Sequence, residues 1–186
     1  QSEAFNQELQ HRTKNSIQMM RALASQASKA TDPAEFYETL GGRLSALAKA
    51  NELLRFGALE ACQLDALVRA AIAPFNSARI SYTGPPCQVS RNGCTPLMMA
   101  LHKLGTNASK YGALSVEAGR VDISWRVPEG EGPIEIVWRE SGGPPVKEPV
   151  RRGIGARLLS PNGDMRRVEV QYHPDGVVCE MSVAPA

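Results

Sequence analysis

Lys103, Asn107, Lys110 and Tyr111 have the types and the spacing that polyphosphate chemistry asks for. They follow one another at steps of four, three and one, so on a helix they form one polar column. An amide oxygen flanked by two ammonium groups suits a metal-bound polyphosphate. The cations neutralise phosphate charge, and the amide is a neutral oxygen donor. On another face of the same stretch Leu97, Leu101, Leu104 and Ala108 recur at core spacing.

A second set of candidates follows. Trp138-Arg139-Glu140-Ser141-Gly142-Gly143-Pro144 puts an acid at a strand end, immediately before two glycines. A carboxylate there accepts a hydrogen bond from an exocyclic amine such as adenine's, and glycines let main chain approach a ligand closely. Gly153 and Gly155 open a helix and offer free N–H groups to a phosphate. A tight turn explains each glycine pair equally well. Joined to the Asn107 helix, they outline a nucleotide site with a base end and a phosphate end.

The third set lies near the start. His11 and Asn15 share one face of a helix at i, i+4. His11 stands about 200° around that helix from Leu9 and so faces solvent. A lone surface histidine is commonly just that. Beside a separate nucleotide domain, however, an exposed imidazole is a good phosphoryl acceptor. Asn15, one turn on, is placed to hold a water in line with the phosphoryl group, and Arg12 and Lys14 to steady its charge.

Two modules must position these residues. In the first, Phe5, Leu9, Thr13, Ser16, Met20, Leu23 and Ala27 step by threes and fours, a seam for a helix of about seven turns. Asp32-Pro33-Ala34-Glu35 then supplies an N-cap, a proline at the first helical position and an acid at the third. Phe36, Leu40, Leu44, Leu47, Asn51 and Leu54 repeat the spacing until Gly57. Two such helices make an antiparallel hairpin that cannot bury its seam alone. Pairing with a second copy into a four-helix bundle is the expectation; packing on the chain's own second domain is the alternative.

The second module mixes helices and strands. A short helix from Leu64 to Ala73 ends at Pro74. Arg79–Thr83 reads as a strand closed by Gly84-Pro85-Pro86, with Gln88-Val89 as its brief partner. Thr95-Pro96 starts the polar helix and Gly112 ends it. Arg120–Val127 and Pro133–Arg139 alternate as a hairpin, and Val168–Tyr172 with Val177–Val183 make another, turning at Pro174-Asp175-Gly176. That order predicts a mixed sheet with helices on one face, an α/β sandwich.

The 186 residues, 42% hydrophobic and 22% charged, suffice for one moderate core plus a helical module. A formal net charge of +2, with no dense Lys/Arg block, does not argue for nucleic acid. Cys62, Cys87, Cys94 and Cys179 are scattered without a C-x-x-C pair, so buried or free thiols of a reducing compartment are expected rather than a disulfide frame or zinc site. No apolar run approaches the roughly 18–20 residues of a membrane span, and no signal peptide precedes the first helix. The chain opens at Gln1 inside helical sequence and reads as a cytoplasmic fragment lacking an upstream sensory part.

Together these stretches resemble, over nearly the whole chain, the HWE group of bacterial sensor histidine kinases, closely related to the second HisKA class. Glu8 to Asn15 is similar to that family's H-R-x-K-N phosphoacceptor box, and Arg43 to Leu54 to its second dimerisation helix. His102 to Ser115 resembles the N-box, H-E-L-x-T-N-A-x-K-Y-G-A-L-S. Trp138-Arg139-Glu140 is similar to its W-x-E, and Gly153-Ile154-Gly155 to the G-F-G after the ATP lid.

The resemblance implies an α+β chain. A dimerisation and phosphotransfer hairpin over 1–57 forms a four-helix bundle when dimeric, followed over 58–186 by an α/β sandwich of the GHKL (Bergerat) type. It implies ATP and Mg²⁺ as cofactors, a response-regulator receiver domain as partner, and a homodimer. His11 is then the phosphohistidine, with Asn15 and Lys103 beside the chemistry. Asn107 is the magnesium ligand, Glu140 the adenine contact, and His102, Lys110, Tyr111, Gly142, Gly143, Gly153 and Gly155 the rest of the ATP site. Two departures stand out. Lys103 occupies the N-box acid position, and a protonated lysine is no base. Ser160-Pro161-Asn162-Gly163-Asp164 replaces a longer helical stretch. A phosphotransfer or phosphatase adaptor with a degenerate nucleotide domain, and a GHKL-type ATPase without phosphohistidine, are the alternatives.

Overall fold

The computed structural model describes residues 61–75, 77–130, 132–146, 159, 161 and 163–186, together with 17, 20–21, 24–25, 33, 40–42 and 44–48. The chain divides into two compact units, Gln1–Ser45 and Ala46–Ala186. In the first unit every described residue is helical. Met20 of the expected seam is 44% exposed there. His11, Asn15, Gly153 and Gly155 lie outside the described residues.

The second unit is an α/β sandwich. Its strands are β1 (Ala61–Gln63), β2 (Ile80–Thr83), β3 (Gln88–Ser90), β4 (Arg120–Arg126), β5 (Ile134–Ser141), β6 (Met165–His173) and β7 (Gly176–Val183). Among its described helices are α1 (Leu64–Ile72) and α2 (Arg91–Lys110), and residues 46–48 are helical as well. The main sheet runs in the order β2-β4-β5-β7-β6, with β2 parallel to β4 and the other neighbours antiparallel. The parallel pair needs a crossover, and α2 is part of it. Both hairpins expected from alternation are present, β4–β5 and β6–β7.

Alternation decides which side of the sheet is covered. Val121, Ile123 and Trp125 on β4 and Ile134, Ile136 and Trp138 on β5 point into the core, while Arg120, Asp122, Ser124 and Arg126 point out. The core-facing row meets Leu64, Leu67 and Val68 of α1 and Leu97, Met98, Leu101 and Leu104 of α2, all buried. The expected apolar stripe of α2 is therefore real and wider than four residues. On the outer face Arg167 pairs with both Glu169 and Glu180.

Three expectations change. The polar helix starts at Arg91, not at Thr95-Pro96. Pro96 lacks the N–H for the Asn92 carbonyl, a loss of about 3 kcal/mol in a helix interior. Burial of Gly93 and Cys94 and a Ser90 hydroxyl that donates to Asp164 (2.7 Å) hold the extra turn. Gln88-Val89 does not pair with β2: β3 is antiparallel to β1 in a separate two-stranded sheet. Pro85 and Pro86 keep the chain extended between them, and β4 takes the neighbouring place beside β2. Finally, Cys62 and Cys94 are joined in a disulfide, leaving Cys87 and Cys179 as thiols. Spacing in sequence said nothing of this pair because the fold brings β1 onto the first turns of α2. No helix among the described residues is long and apolar enough to cross a membrane.

The disulfide spans a sequence separation of 32, for which restricting the unfolded chain is worth about 3–4 kcal/mol. Reduction is expected to lower the urea-unfolding free energy by that amount, and a Cys94→Ala variant is expected to be insensitive to reductant.

Candidate functional site

The last two turns of α2 and the residue that caps it present the polar column. Lys103 and Asn107 are half-buried, Lys110 is exposed, and Tyr111 is 73% exposed. The Asn107 carbonyl oxygen accepts from the N–H groups of Tyr111 (2.8 Å) and Gly112 (3.1 Å), which closes the helix. Past Gly112 a 3₁₀ turn over Ala113–Ser115 leads toward β4. Arg79 holds this exit by donating to the carbonyls of Val116 and Leu114, the latter at 3.0 Å. Nothing around Arg79 in the sequence links it to residue 114.

His102 takes a different direction. Five positions before Asn107, it lies about 140° around the helix from it. Its ring sits against Phe75, centroids 5.4 Å apart and tilted by 49°. Lys103, Asn107 and Lys110 thus follow one another along one side of α2, Tyr111 caps its end, and His102 points about 140° away from Asn107.

Glu140, at the end of β5, is 5% exposed. Its Oε2 accepts from the Ala113 N–H (2.9 Å) and its Oε1 from the indole N–H of Trp138 (3.2 Å). Trp138 is two residues earlier on the same strand, hence on the same face. Burial pushes the Glu140 carboxyl above its ordinary value, and these two donors pull it back. Two of the roughly four acceptor positions of an ionised carboxylate are filled by protein donors. The Ala113 donor had no signal in the sequence, because a main-chain N–H has no letter of its own.

The glycines after Glu140 lie close against main chain. Gly142 has φ +65°, a conformation suited to glycine, and a Cβ there would stand 2.9 Å from the Ala118 carbonyl oxygen. Gly143 lies similarly against Ala113. Both therefore serve a close approach of main chain to main chain, which brings the exit of β5 onto the exit of α2. Gly112 is tighter still: a Cβ would sit 2.1 Å from Glu140 Oε2. Among the described residues no group of three His, Cys, Asp or Glu side chains is placed to hold a metal.

Gly112→Ala is expected to destabilise the second unit by about 1–3 kcal/mol, since the contact is with a fixed carboxylate. In a Glu140→Ala background the same substitution is expected to cost much less; a double-mutant cycle in urea measures the coupling.

Comparison with known proteins agrees with this architecture. A family model described as HWE histidine kinase matches residues 8–86. A blue-light-activated histidine kinase of Brucella anthropi is 40% identical over 183 residues, covering 94% of this chain and 37% of that protein. One of Brucella ovis is 39% identical over 160 residues, covering 83% of this chain and 33% of that protein. The chain thus spans about a third of the length of these relatives. Among solved structures, the histidine kinase domain of an Erythrobacter litoralis blue-light activated histidine kinase superposes with TM-score 0.64 at 17% identity, covering 90% of this chain and 83% of that one. The catalytic domain of the histidine kinase ThkA gives TM-score 0.51 at 16% identity, covering 68% and 96%. At those identities the likeness is one of fold, the α/β sandwich of histidine kinase catalytic domains of the GHKL type. The motifs, the fold and the family match lead to one conclusion: this chain belongs to the HWE histidine kinase family.

Proposed function

We propose that this chain is the transmitter core of a sensor histidine kinase, with residues 1–57 as the dimerisation and phosphotransfer hairpin and 58–186 as the ATP-binding domain. One observation supports it above the others. The exit of α2 carries Asn107 beside Lys103, Lys110 and Tyr111, and six residues after Asn107 the Ala113 N–H is bonded to the buried carboxylate of Glu140. A phosphate end and a base end thus meet on one segment.

In this reading ATP is the substrate. Glu140 accepts from the exocyclic amine of adenine through a lone pair its protein donors leave over. Lys110 and Tyr111 contact the phosphates, and Gly153 and Gly155 offer main-chain N–H groups to them. Asn107 fits a magnesium site of the kind that keeps most of its coordination in phosphate oxygens and water, because it supplies one neutral oxygen. When bound, Mg²⁺ supplies charge neutralisation on the phosphates. The imidazole of His11 takes the γ-phosphoryl group: a ring-nitrogen lone pair forms an N–P bond, the bond to the ADP oxygen breaks with its electron pair left on ADP, and the ring proton passes to solvent. Arg12 and Lys14 steady the phosphoryl group's charge, Asn15 holds a water in line with it, and a receiver-domain aspartate of a response regulator then accepts it. Positioning and charge neutralisation carry such a transfer. The hairpin would pair with a second copy, and the core would work in the cytoplasm.

Lys103 favours a second reading. A half-buried ammonium still attracts phosphate but accepts no proton. In that case the sandwich binds nucleotide, and His11 and Asn15 act on a partner regulator without autophosphorylation.

Labelled ATP separates the two. If the chain is a kinase, an acid-labile label appears and is lost in His11→Ala. A chain that binds ATP without taking up label is the adaptor. Lys103→Glu is expected to raise the labelling rate by on the order of 10²–10⁴, the usual worth of a positioned base. An unchanged rate would show that Lys103 does not stand at the reacting group.

A further inference from the structure

Trp138 is a large, fully buried side chain at the centre of the sheet, and packing alone would be served by any bulky apolar residue there. Its indole nitrogen nevertheless has a particular partner, Glu140 Oε1 at 3.2 Å. The other carboxylate oxygen is held by Ala113 N–H at 2.9 Å, and Gly112 has no Cβ to push it aside. The two donors come from different elements and approach different oxygens, so the carboxylate cannot rotate without breaking one of them.

We propose that Trp138 is a positioning residue for base recognition: its indole N–H, with the Ala113 N–H, fixes the Glu140 carboxylate in the one orientation from which it reads an exocyclic amine. This rests on the nucleotide reading above and assigns the tryptophan a role beyond filling the core. Burial raises the Glu140 carboxyl's pKa, and the Ala113 and indole donors oppose that rise. Without the indole N–H the carboxylate keeps one tether, swings about it, and no longer distinguishes an amine from a carbonyl on the base. Trp125 is the internal control. Its indole N–H donates to the Pro85 carbonyl oxygen at 2.8 Å, not to Glu140.

The test is calorimetric titration of the whole chain with ADP and with IDP, which carries a carbonyl where adenine carries its amine. The wild type is expected to prefer ADP by about tenfold or more, the worth of a hydrogen bond to a charged acceptor. In Trp138→Phe the preference is expected to fall to about onefold while IDP affinity stays unchanged; Trp125→Phe is expected to keep it. Should Trp138→Phe fail to fold, a 3-benzothienyl-alanine at position 138 keeps the shape and removes only the N–H. A ratio that survives either replacement overturns the positioning role and leaves the nucleotide reading standing. Equal loss of both ligands overturns it as well, since that is what a merely structural tryptophan would do. A wild type that binds neither nucleotide overturns the nucleotide reading itself, and the inference with it.

Discussion

The joint on which the second unit depends is the buried carboxylate of Glu140 between the Ala113 N–H and the Trp138 indole. A carboxylate taken out of water costs several kcal/mol unless donors replace the water it lost, so its neighbours are tightly constrained. One donor comes from its own strand, the other from the main chain just after α2. The bond pair therefore links the central sheet to the exit of the helix that carries the polar column. Close approach of main chain at Gly112, Gly142 and Gly143 follows from the same joint. Among the described residues no buried side-chain nitrogen or oxygen lacks a partner, so this charge is accommodated within a satisfied interior.

The helix α2 is held at both ends. At its start Ser90 donates to Asp164, and Cys94 is bonded to Cys62. At its end Glu140 holds Ala113, and Arg79 holds the carbonyls of Leu114 and Val116. Between the anchors, one broad face is buried against the sheet and α1. A helix anchored at both ends holds its polar column in place, as chemistry that proceeds by positioning requires.

Much of this was legible in advance. Strict alternation on β4 and β5 marks strands with one covered face, because the side-chain period of a strand is two. The stripe Leu97, Leu101, Leu104 and Ala108 marks the buried side of α2 for the corresponding helical reason. Other features were not legible. The β1–β3 pairing, the disulfide and the four residues of α2 before Thr95 depend on contacts between segments far apart in sequence. That Gly142 and Gly143 lie against the main chain of Ala118 and Ala113 likewise depends on segments distant in sequence.

The sequence by itself determined the family, the alternating strands and the polar column of Lys103, Asn107, Lys110 and Tyr111, because those rest on residue types at short, regular spacings. Only the tertiary structure decided that His102 turns away to Phe75, that Cys62 meets Cys94, and that Glu140 is clasped by a tryptophan and a main-chain N–H. The physical reason is the same in each case. Directions around a helix and partners across a sheet are set by which distant surface is buried against them, and hydrogen-bond donors of the main chain are the same at every position until the fold selects one.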